Sequence, residues 1–118
     1  GDTASFSDNK TLYFGDGGDL QILHTGSASY IKDSGTGGLF LQSDGTGIFL
    51  RSSSGNEEIA NFYINGASEL FYDNNRKLAT TSDGISVTGD IVTTGDVTVG
   101  GVPSYPEPPS IIVTLSTS

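Results

Sequence analysis

The sequence predicts an all-β chain, and three observations carry that prediction. Short apolar runs recur along it, each ended by a cluster of Gly, Asp, Asn or Ser. The dipeptide Asn65-Gly66, a favoured two-residue hairpin turn, stands between two of these runs. A glycine-led unit is also written twice: Gly35-Thr36-Gly37-Gly38-Leu39-Phe40-Leu41-Gln42-Ser43 is followed by Gly45-Thr46-Gly47-Ile48-Phe49-Leu50-Arg51-Ser52. Such repetition bears directly on architecture.

Residues 1–10 form a polar lead-in with Phe6 as their one large apolar side chain, and the sequon Asn9-Lys10-Thr11 reads as a chance match to a common pattern. Region 11–82 is a series of short strands. Thr11-Leu12-Tyr13-Phe14 is the first, stopped by Gly15-Asp16-Gly17-Gly18, where glycine permits a tight reversal. Leu20-Gln21-Ile22-Leu23-His24 and Ser29-Tyr30-Ile31-Lys32 follow, parted by the turn Thr25-Gly26-Ser27. The twin repeats then predict one strand each, at Leu39-Phe40-Leu41 and Ile48-Phe49-Leu50. Neighbouring strand residues point to opposite faces, so both strands are apolar on two sides.

Beyond Asn56-Glu57-Glu58, the runs Ile59 to Ile64 and Ser68 to Tyr72 flank Asn65-Gly66 as a type I′ hairpin. Glu57, Glu58 and Ala60 would suit a helix over 56–63, but the hairpin favours a strand. A reversal at Asp73-Asn74-Asn75 returns the chain into Lys77-Leu78-Ala79-Thr80 and completes a three-stranded meander.

Region 83–101 has a different character. Gly84-Ile85-Ser86-Val87 leads to Gly89-Asp90-Ile91 and Gly95-Asp96-Val97, with Thr and β-branched residues between. This short Gly-Asp period predicts a narrow β-spiral or β-helical stem. Region 102–118 reads as a Pro-rich linker and a terminal strand, Ile111-Ile112-Val113-Thr114-Leu115.

Composition says how such strands reach stability. Hydrophobic residues make up 34% of the 118, while glycine alone supplies 17. Glycine loses the most backbone freedom on folding, so a lone chain of this kind is marginal. Other copies of the chain are the expected second layer. The candidate core between copies is Leu20, Ile22, Ile31, Leu39, Leu41, Ile48, Leu50, Leu70, Leu78, Ile85, Val87, Ile91, Val97 and Val99.

Fourteen acidic against five basic residues give a net charge of −9, which disfavours a nucleic-acid partner. No apolar run is long enough for a membrane helix, and no signal sequence opens the chain. Membrane insertion is therefore not expected. With no Cys there is neither a disulfide framework nor a thiolate metal site. The absence of Met suggests a segment of a longer protein.

The string Asn9-Lys10-Thr11-Leu12-Tyr13-Phe14-Gly15-Asp16-Gly17-Gly18-Asp19-Leu20-Gln21-Ile22 resembles the tail-fibre repeat of marine phages, those infecting cyanobacteria and other ocean bacteria. The likeness continues through Ser29-Tyr30-Ile31-Lys32-Asp33, Asn65-Gly66-Ala67-Ser68-Glu69-Leu70-Phe71-Tyr72-Asp73-Asn74 and Gly84-Ile85-Ser86-Val87-Thr88-Gly89. It spans roughly residues 5–100 and departs at Leu23 and Thr25, where an aromatic and an acidic residue are expected. The resemblance implies an elongated, intertwined homotrimeric β-fibre of the virion, with three-fold association coming from the likeness alone. Its expected partners are its own copies, other tail or virion proteins, and a host-surface receptor engaged through another region. It carries over no catalytic residue.

Chemical constellations are sparse. The single histidine, His24, allows no multi-His metal site within one chain, although three copies could meet on an axis. No Gly-x-Ser-x-Gly elbow is present. Gly15-x-Gly17-x-Asp19 fails as a calcium repeat because it is not tandem, and it reads as a turn. Asp33, Asp44, Asp73, Asp83, Asp90 and Asp96 likewise read as turn or cap residues. Glu57-Glu58, adjacent on a strand, would point apart and cannot flank one glycosidic bond. Tyr13, Tyr30, Tyr63, Tyr72 and Tyr105 are either packing residues or a carbohydrate surface. The expectation is thus a non-enzymatic fibre segment without metal or cofactor. A glycan-binding module, a head-fibre or capsid-decoration protein, and a tail-spike hydrolase fragment are the alternatives.

Overall fold

The computed structural model describes residues 1–100; the Pro-rich linker and the strand expected at 111–115 lie outside the described residues. Those described form eight β-strands and no helix. They make two antiparallel sheets. The first contains β1 (Thr11–Phe14), β2 (Leu20–His24) and β3 (Ser29–Asp33), in that order. The second contains β4 (Gly47–Arg51), β5 (Glu58–Tyr63), β6 (Ser68–Tyr72), β7 (Asn75–Thr80) and β8 (Ile85–Val87), also in sequence order. Within each sheet every connection joins sequence-neighbouring antiparallel strands, so turn chemistry sets the register there; the segment from β3 to β4 joins the two sheets.

In the first sheet, Gly18 N–H bonds Gly15 C=O at 3.0 Å to close the β1–β2 turn. Both glycines are left-handed, with φ of 67° and 86°. The Asp19 carboxylate lies against Gly15 and Gly17, and Asp33 Oδ1 accepts the Gly35 N–H at 3.0 Å. Asp33 is therefore a turn residue, as its sequence setting predicts.

The second sheet corrects the expected turn type. A type I′ turn needs positive φ at both central residues. Around Asn65-Gly66 only Asn65 is left-handed (φ 57°), inside a wider loop where Gly66 N–H reaches Tyr63 C=O and Tyr63 N–H reaches Ala67 C=O. The two-residue turn with both positions left-handed is instead Asp73-Asn74, with φ of 48° and 60°, closing Tyr72 on Asn75. Asn74 also accepts the Glu58 N–H through Oδ1 at 3.0 Å, so this turn caps the start of β5. Asn tolerates the left-handed region better than most side chains, and here its amide has a second use.

The expected three-stranded meander is the centre of five strands. Residues Ile85, Ser86 and Val87 do not begin a separate stem; they pair with Thr80, Ala79 and Leu78. Ile91, Val97 and Val99 lie beyond the last strand, in chain without strand pairing.

The twin repeats diverge. The second copy is β4, paired with β5 from Gly47 opposite Tyr63. The first copy, Leu39-Phe40-Leu41, is not a strand, contrary to expectation. Its exit is bound up in a local turn, with Gly45 N–H donating to Ser43 Oγ at 3.2 Å. A glycine contrast accompanies the divergence. A Cβ on Gly47 would collide with the Phe62 carbonyl oxygen, whereas one on Gly37, its counterpart, would meet nothing within 4 Å. Gly47 is thus required by close approach to β5. Accordingly, Gly47→Ala is expected to lower folding stability by about 1–3 kcal/mol, as overpacking does. Gly37→Ala should fall within about 0.5 kcal/mol of the parent. Urea denaturation of the two variants checks this.

Candidate assembly surface

Cross-strand partners share a sheet face, so the register tells which side chains lie together. In the five-stranded sheet one row runs Leu50, Ala60, Leu70, Leu78, Val87. The next row contains Ile48, Phe62 and Ser68, then Thr80 and Ile85. Ser68 and Thr80 are joined by Ser68 N–H to Thr80 Oγ1 at 2.8 Å. These ten positions carry no charged side chain. In the first sheet, Leu12, Ile22 and Ile31 form one apolar row, and Phe14 and Leu20 lie on the same side in a row that ends at the charged Asp33.

Among the described residues no second sheet or helix covers these faces. Strand contacts run between sheet neighbours, and the two sheets do not stack on each other. Among the described residues only Ala60 and Ala79 are buried hydrophobics, each 4% accessible, and no large side chain is fully buried. Leu70 and Leu50 remain 47% and 48% accessible, and Phe62 and Ile85 are also exposed. A half-exposed Leu or Ile has about half of its roughly 1.5–3 kcal/mol burial energy still to gain. An uncharged, contiguous face of this kind is the mark of an interaction surface.

The expected core residues therefore divide in two. Leu20, Ile22 and Ile31 share the apolar face of the first sheet, and Ile48, Leu50, Leu70, Leu78, Ile85 and Val87 share that of the second. Leu39, Leu41, Ile91, Val97 and Val99 are exposed outside the strands. Leu12, Phe14, Ala60 and Phe62 complete the faces and were not among the expected set. Their signal was the period-two match to neighbours already chosen, which becomes decisive only once the register is known.

The opposite face of the second sheet is chemically different. Phe49 and Tyr63 meet edge to face with centroids 5.3 Å apart, and the Arg51 guanidinium lies 5.0 Å over the Phe49 ring. Ion pairs join Arg51 to Glu58 at 3.0 Å and Arg76 to Glu69 at 2.7 Å. The two-faced character expected of β4 is present, with Phe49 turned away from Ile48 and Leu50. Asn61 sits in the same row as Phe49 and Glu69, only 3% accessible, and its Oδ1 has no hydrogen-bond partner.

An open cleft of about 720 Å3 lies against the first sheet, with Phe6, Leu12, Ile22, Ile31, Tyr30 and His24 in its wall. His24 Nδ1 is 2.9 Å from Ser29 Oγ, its cross-strand neighbour. Of the other tyrosines, Tyr13 packs on Gly18 and Tyr72 stands exposed. Among the described residues no group of three or more His, Cys, Asp or Glu side chains is arranged to hold a metal ion. No described helix is long and apolar enough to cross a membrane. Comparison of the chain with protein-family models, curated proteins and solved structures finds no match.

The orphan acceptor of Asn61 has an energetic consequence. A buried polar atom left without a partner costs about 1–3 kcal/mol, and a β-branched apolar side chain suits the same strand position. Asn61→Val should therefore raise the denaturation midpoint, by an amount approaching that range, in thermal or urea unfolding.

Proposed function

We propose that the chain is a structural segment of a phage virion: a shaft or proximal part of a homotrimeric tail fibre that presents a distal receptor-binding tip. Its work is mechanical, and catalysis is no part of it. The observation that carries this reading is the pair of apolar sheet faces that, among the described residues, lack a second layer and enclose almost no core. Sheets of one layer need a second layer, and identical copies supply it with self-complementary chemistry. The scattered negative charge, −9 per chain, keeps an elongated assembly soluble and resists side-by-side aggregation. The resemblance of residues 5–100 to marine phage tail-fibre repeats supplies the three-fold symmetry and the virion setting. In this reading the Gly-Asp period beyond β8 forms the narrow stem only when three copies wind together. The other partners are neighbouring virion proteins and, through a different region, a host-surface receptor. A head fibre would use the same stem.

A module that binds host-surface glycan is the second reading, favoured by the cleft of the first sheet, where Lys10, His24 and Ser29 adjoin Phe6 and Tyr30. Aromatic faces beside hydrogen-bonding groups suit a sugar ring. Binding of lipopolysaccharide by the isolated chain, lost on Tyr30→Ala, would favour this module over the shaft.

Sedimentation equilibrium should give a mass near three times the 12.2 kDa of the chain, and gold-labelled antibody against the chain should decorate fibres on purified virions. A folded monomer would sink the fibre reading. Leu70→Asp should weaken association at least a hundredfold, since an unpaired charge on a covered face costs on the order of 3 kcal/mol. Ser86→Asp, on the opposite face, should leave the mass unchanged.

A further inference from the structure

We infer that the unpaired first repeat, Gly38–Gln42, adds as an edge strand to β4 of a second copy of this chain. The inference rests on the self-assembly reading above and names one contact through which copies engage.

Three observations meet here. The first is that β4 is an edge among the described residues: in the five-stranded sheet it pairs with β5 alone. Thr46 C=O accepts the Ile64 N–H at 3.0 Å. Hydrogen-bonded pairs alternate along an antiparallel ladder, so Ile48 and Leu50 turn their backbone groups to β5 and Phe49 turns its own to the open side. A strand with unmet backbone donors and acceptors is a template for another chain.

The second observation is that the first repeat has strand chemistry and no strand. Leu39, Phe40 and Leu41 are all exposed, Phe40 at 77%, and among the described residues none is paired with a strand. Instead, Leu41 to Asp44 border an open cleft against Ile48 and Phe62 at the end of the sheet. Gly45 N–H donating to Ser43 Oγ closes the exit turn, and the segment forms no ladder with its own β4.

The third is the match of pattern. Placed antiparallel, as every ladder in this protein runs, Leu39 faces Leu50, Phe40 faces Phe49 and Leu41 faces Ile48. Leu39 and Leu41 then extend the two apolar rows by one strand, and Phe40 joins Phe49 on the opposite face. A slip of one residue would put Phe40 on the apolar face and both leucines on the charged one. The repeat is therefore complementary to its own second copy, and this register sets each apolar residue opposite its counterpart. This gives the duplication a physical use: one copy is the edge, and the other is what covers it.

The chain has no cysteine, so an introduced pair reports cleanly. In the proposed register Leu41 and Ile48 form a non-hydrogen-bonded pair, the closer kind, within disulfide reach. Under oxidation, a Leu41→Cys/Ile48→Cys chain should run as covalent multimers on a non-reducing gel. Monomers linked only within themselves, or no link in a sample that sedimentation shows to be assembled, would overturn the proposal. Hydrogen exchange on the parent chain guards against a misfolded variant. The Phe49 amide should exchange at least about tenfold more slowly in the assembled protein than in a Phe40→Pro chain, which cannot complete the ladder. Equal rates in assembled samples refute strand addition and leave self-assembly standing. A monomeric parent chain refutes both.

Discussion

A sheet with one uncovered apolar face governs this molecule. Backbone pairing satisfies the strands laterally, but it does nothing for the side chains above and below them. Rows such as Leu50–Ala60–Leu70–Leu78–Val87 are uncharged, and apart from Ala60 their side chains stay partly exposed. The residues that do reach burial, Ala60, Ala79 and Asn61, lie at the middle of the sheet, where neighbouring side chains rather than a second layer screen them. With one layer per sheet, hydrophobic burial stops near half of what each side chain offers. The remainder is available only to another surface of the same character.

Local turns supply what the missing layer does not. Each strand is bound to its neighbour by a short reversal, and each reversal has an identifiable device. Left-handed Gly15 and Gly18 close one; left-handed Asp73 and Asn74 close another, with the Asn74 amide also holding the start of β5. Register follows from these devices, and register decides which residues share a face. In this sense the turns write the interaction surface. Shifting any of them by one residue would exchange Leu and Ile for the Phe49, Asn61 and Glu69 row.

Much of this was legible beforehand in particular residues. Gly/Asp/Asn punctuation announced the strands, and their β-branched and aromatic content excluded helix. Nine of the expected core positions fall on the two apolar faces, since period-two alternation is a local property. Asn65-Gly66 was misleading because its dipeptide preference competes with loop length: three residues bridge Tyr63 and Ala67, so the left-handed pair moved to Asp73-Asn74. The twin repeats misled for a different reason. Leu39-Phe40-Leu41 has the same local propensity as Ile48-Phe49-Leu50, but among the described residues β4 alone of the two has a pairing partner, and strand formation requires one.

The amino-acid sequence by itself determined the class of structure, the positions of most reversals and the alternation that divides apolar from charged faces, because all three depend on neighbours close along the chain. The tertiary structure alone decided that Ile85–Val87 closes the second sheet, that β4 ends as a free edge, and that the first repeat stands unpaired beside it. Those outcomes turn on which segments find a backbone hydrogen-bonding partner, where two of equal propensity compete and one is paired.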